Sequence, residues 1–178
     1  WLAIFYTQIR LVAAKRRDIH RQLGVWGFAL AVLIIPLAYL TATHAIARGT
    51  HPPIIDAESW SVVPLMALPP MILMLVMGWR NRMEPQAHKR FMLLFTLMTV
   101  EPGVGRWPIF PPVMAGHVAG GLVAFAFVIP LILWDRKTIG GLHWATKWGL
   151  GALIFGYFVR YPIWALGFWP DVVRVLPY

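Results

Sequence analysis

Apolar stretches about twenty residues long, separated by short basic clusters, constrain this chain more than any other feature. Five run in succession, at 23–47, 60–79, 90–107, 113–134 and 142–162. A helix needs roughly 20 such residues to cross the hydrocarbon core of a bilayer. A further run at 1–14 extends only about 21 Å at 1.5 Å per residue, short of a core about 30 Å thick. Its length predicts a first helix that begins upstream of Trp1. Charged residues make up 13% of the chain, about half the share found in soluble domains, while 59% is hydrophobic. The expected fold is all-α: one domain over 1–178, a polytopic membrane bundle of about six transmembrane helices in three hairpins. The tail 163–178, broken by Pro170, is expected in the outer interface with Trp164 and Trp169 at headgroup level.

The formal net charge of +9 is distributed by connection. Lys15, Arg16, Arg17 and Arg21 lie between the first two runs. Arg80, Arg82, Lys89 and Arg90 lie between the third and fourth, and Arg136 and Lys137 between the fifth and sixth. The other side carries only Arg48, Arg106, Arg160 and Arg174. The positive-inside rule therefore puts loops 15–21, 80–90 and 135–141 in the cytoplasm and both termini outside. Clustering between apolar runs also argues against nucleic acid as a partner, because it builds no continuous basic surface. With no cysteine, disulfides and thiolate metal sites are both excluded.

The runs repeat coarsely. The second, fourth and sixth each begin near a histidine (His20, His88, His143) and end near an arginine (Arg48, Arg106, Arg160). The strings HRQLGVWGFALAVL, VVPL, EPQAHKRFMLL, GRWP and LHWATKWG resemble an uncharacterised family of small bacterial inner-membrane proteins with H-R-x-L-G and A-H-K-R-x-M-L-L motifs. That resemblance implies the six-helix topology and the inner-membrane location, and no activity. Glu101 departs from it, since small residues are more usual at that position.

Three features can carry chemistry or packing. His44 and His117 lie toward the outer side, where a pair of histidines on neighbouring helices can hold haem b. The small residues around His117 also leave room for a chlorophyll-type pigment. The alternative is that these histidines anchor helix ends in the headgroup layer. Gly116 and Gly120 have the four-residue spacing that lets two helices approach closely. On that reading alone, alanine at 120 is expected to be mild. Glu101 is the third feature. A carboxylate deep in a span costs a few kcal/mol unless paired or protonated, which predicts a buried polar cluster of Glu101 with Arg106 or Arg160. Pro102, Gly103 and Gly105 predict that the helix kinks or unwinds just after it.

No H-E-x-x-H, phosphate-binding glycine loop or G-x-S-x-G occurs, and the seven acids are scattered. The functional expectation is a non-catalytic accessory or scaffold subunit, with the bilayer and other membrane subunits as partners in an assembly that transduces energy. Haem- or pigment-based electron or energy transfer is the alternative, and a small transporter using Glu101 is a further one.

Overall fold

The structure, a computed structural model, describes residues 1–52, 55–104, 107 and 117–177, with only the backbone at 117. All regular structure among them is helical: α1 (Leu2–Ala13), α2 (Arg17–Ala47), α3 (Ala57–Trp60), α4 (Val62–Arg80), α5 (Pro85–Val104), α6 (His117–Ile139), α7 (Trp144–Phe158), α8 (Arg160–Leu166) and α9 (Trp169–Arg174). Four segments are long and apolar enough to cross a membrane: Arg17–Ala47, Ala57–Arg80, Val118–Ile139 and Trp144–Leu166. The first helix, α1, is shorter, at 12 residues.

The helix at the centre is not one of those four. Eleven of the 20 residues of α5 are buried, and α5 packs against α4, α6 and α7. Its polar content explains the apparent contradiction. A helix carrying His88, Lys89, Arg90 and Glu101 is a poor match for lipid, so apolar neighbours surround it and bury Arg90 and Glu101, while Lys89 stays exposed near its first turn. Phe91, Leu94, Phe95 and Met98 of α5 form the core with Met71, Met74 and Leu75 of α4 and Leu153 of α7. Trp1 ties α1 to this core: its Nε1 donates to Thr96 Oγ1 at 3.1 Å, and its ring meets Phe95 edge-on.

The connections are shorter than the charge pattern implies. Helix α2 already begins at Arg17, α5 at Pro85, and α6 runs on to Ile139. Parts of the three basic stretches are therefore helix ends and not loop, because lysine and arginine on a terminal turn can reach the headgroup layer while the backbone stays helical. Between α1 and α2, Lys15 adopts φ 59, and Arg16 N–H donates to the Leu11 carbonyl at 2.9 Å. This closes the hairpin at the cost of a left-handed residue.

Two local expectations change. Helix α5 continues through Glu101, Pro102 and Gly103 to Val104, so no break follows the carboxylate at once. A single proline removes one backbone bond, which the surrounding packing tolerates. The tail also folds back onto the bundle. Trp169 is buried, its Nε1 donating to Ser61 Oγ at 3.0 Å, and Trp164 Nε1 donates to the Ser59 carbonyl at 2.7 Å. With Val173 it packs on Ala42, Ile46, Val62 and Val63, closing the end of the bundle where α2 finishes and α4 begins. An indole that finds both an apolar wall and an acceptor inside the protein has no need of the headgroups. Just outside these spans, the Ser59 N–H donates to Asp56 at 2.8 Å, capping α3 and holding that carboxyl below its usual range.

Candidate functional site

Arg90 and Glu101 are eleven residues apart on α5. At 100° per residue they fall within about 20° of the same face, and about 16 Å apart along the axis. Both look into the seam that α5 shares with α6 and the α7–α8 segment, and each meets an opposite charge there. The result is two buried ion pairs at two levels of one seam, called outer and inner after the orientation that the charge pattern predicts.

At the outer level, Glu101 is 6% exposed and Arg160 not at all. Arg160 Nη1 donates to Glu101 Oε1 at 3.2 Å, and its Nε donates to the Gly156 carbonyl at 2.8 Å. The guanidinium also lies 4.8 Å over the Tyr157 ring, an arrangement that stabilises a desolvated cation. The structure thus brings Glu101 together with Arg160, while Arg106 lies outside the described residues. Arg160 Nη2 and the Tyr157 hydroxyl are buried without a hydrogen-bond partner among the described residues. Such groups cost about 1–3 kcal/mol each when unmatched, so this level is less completely satisfied than the inner one.

The N-terminal part of α6 seals this level. A Cβ at Gly120 would sit 2.9 Å from the Glu101 carbonyl oxygen and 3.0 Å from its Cα, and one at Gly121 would sit 2.9 Å from Tyr157 Cε1. Only hydrogen fits at 120, because the obstacle is backbone. Alanine there is consequently not mild, contrary to the spacing argument. Gly116 lies outside the described residues.

The inner level has no counterpart among the sequence candidates. Arg90 is 1% exposed and Asp135 is 0%. Arg90 Nη2 and Nε both donate to Asp135 Oδ1, and Arg90 Nη1 donates to the Gln86 carbonyl. The second carboxylate oxygen accepts from Thr146 Oγ1 at 2.5 Å and from the His143 backbone N–H at 3.0 Å. Helices α5, α6 and α7 are thus joined through one carboxylate. Charge counting assigned Arg90 and Asp135 to loops expected in the cytoplasm; they are interior because α5 and α6 both extend beyond the apolar runs. The signal was present in Asp135 itself, an acid in a basic stretch one residue after the last apolar position of its run.

The histidines divide by role. His143 caps α7, its Nδ1 accepting from the Ala145 N–H at 3.1 Å, and His88 Nδ1 lies 2.8 Å from the Gly78 carbonyl. His44 is exposed on the last turn of α2. His117 opens α6, and its side chain lies outside the described residues. Among the described residues no three His, Asp or Glu side chains converge as metal ligands.

No family model, no curated protein and no solved structure matches this chain.

Proposed function

We propose that this chain is a non-catalytic accessory subunit of a larger assembly in a bacterial inner membrane, and that α2 is the helix it offers to its partner. The observation that carries this reading is the outer stripe of α2. Of its 31 residues only Gly27, Ala31, Ala42, Thr43 and Ile46 are buried. Trp26, Leu33, Leu37 and Leu40 are exposed, and Leu30 is partly so. With His44 they follow alternating steps of four and three residues: 26, 30, 33, 37, 40, 44. That is the spacing of a knobs-into-holes seam between two helices.

The buried pairs favour the same reading. Glu101 is neutralised by Arg160 and Asp135 by Arg90, which supports structural roles for both acids over a transport path. His44, at the outer end of the stripe, leaves haem b or a chlorophyll-type pigment shared with His117 as the second reading.

Photo-crosslinking tests the partner directly. A benzophenone amino acid at Leu33 or Leu37 is expected to yield one discrete protein adduct in native membranes. The same probe at Ile129, exposed on α6, is expected to yield lipid adducts only. Lipid adducts alone from all three positions would refute the assignment of α2 as a partner helix.

A further inference from the structure

A groove of about 500 Å³ lies between α4 and α7. Its walls include Pro70 and Leu73 from α4 and Trp148, Gly151 and Phe155 from α7, with Lys147 at one end. Lys147 is exposed and forms no ion pair among the described residues. An apolar trough with a single cation at its end has the polarity of a lipid, and a second cation completes the match.

The levels of the two helices can be read from their contact. A Cβ at Gly156 would sit 2.8 Å from Pro70 Cγ, so these residues face each other. Arg80 lies ten residues inward of Pro70 on α4, about 15 Å, and Lys147 nine residues inward of Gly156 on α7, about 13.5 Å. The two cations therefore stand at nearly the same height. Arg80 is also seven residues from Leu73, which puts it within about 20° of the groove-lining face of α4. It is exposed and, like Lys147, has no ion pair among the described residues. Basic positions between transmembrane helices on the cytoplasmic side are where acidic headgroups bind.

We propose that this groove is a binding site for one anionic phospholipid of the inner leaflet. Its phosphate lies between Lys147 and Arg80, and an acyl chain fills the trough past Gly151 toward Pro70. Gly151 matters because it has open space where a side chain would be: a Cβ there meets nothing within 4 Å. A bulky residue at 151 fills the trough without disturbing the protein's own packing.

The test is native mass spectrometry of the detergent-purified protein titrated with phosphatidylglycerol or with phosphatidylcholine of the same chains. The expected result is a preference for phosphatidylglycerol of about tenfold, lost when Arg80→Ala and Lys147→Ala are combined. Lys137→Ala should keep the preference, and Gly151→Leu should lower retention of both lipids while thermal stability holds. Equal retention of the two lipids by the unmodified protein would overturn the proposal, as would unaltered retention by Gly151→Leu. A lipid-free dimer would also overturn it, by giving the groove to a second copy.

Discussion

Arg90→Leu is expected to destabilise the protein by about 3–5 kcal/mol, the cost of leaving one member of a buried ion pair without its counter-ion. Asp135 would then be a carboxylate with no exposure, holding only Thr146 Oγ1 and the His143 N–H. Arg90→Lys should lose less, since it keeps the charge and gives up the two-pronged contact. The double variant Arg90→Leu/Asp135→Leu should recover most of the loss, because both desolvation costs vanish together. Thermal unfolding in detergent measures all three. A double variant no more stable than Arg90→Leu alone would mean that the uncompensated Asp135 carboxylate is not the source of the loss.

Gly120→Leu should be nearly as damaging, and Gly120→Ala should share part of the effect. Overpacking costs about 1–3 kcal/mol when side chains can shift. Here the first carbon already meets the Glu101 carbonyl at 2.9 Å, so α6 must move away from α5. That movement also opens the outer seam, where Arg160 holds Glu101. Gly151→Leu is the matched control, with open space in place of backbone. If unfolding temperatures of the Gly120 and Gly151 variants coincide, the close approach of α5 and α6 is wrong.

Helical class was legible in the sequence because run length and low charge leave a chain few other choices in lipid. Glu101 was legible for the same reason: a deep acid demands a partner, and Arg160 was one of two candidates. Arg90 and Asp135 escaped because each sits within a cluster of other charges. Hydropathy alone cannot tell a solvated arginine from one whose helix has carried it inside. The burial of Trp169 escaped too, since an aromatic tail reads equally as an interface anchor or as a plug until its acceptor, Ser61, is known. The consequence of a Cβ at Gly120 was hidden for a related reason. Small-residue spacing announces a close approach, and only geometry says whether backbone or side chain stands opposite.

The proposed partner helix and the lipid groove both require α2 and its neighbours to cross a bilayer with their basic ends on one side, and single-cysteine accessibility tests that most directly. The chain has no cysteine of its own, so each introduced thiol reports alone. Arg17 and Arg48 bracket α2, whose 31 residues extend about 46 Å, more than the thickness of the hydrocarbon core. In intact cells an impermeant thiol reagent should modify a cysteine at Arg48. Cysteines at Arg17, Asn81 and Lys137 should stay unmodified until the membrane is permeabilised. Labelling at both Arg17 and Arg48 in intact cells would mean that α2 does not cross, and labelling at Arg17, Asn81 and Lys137 with protection at Arg48 would invert the bundle.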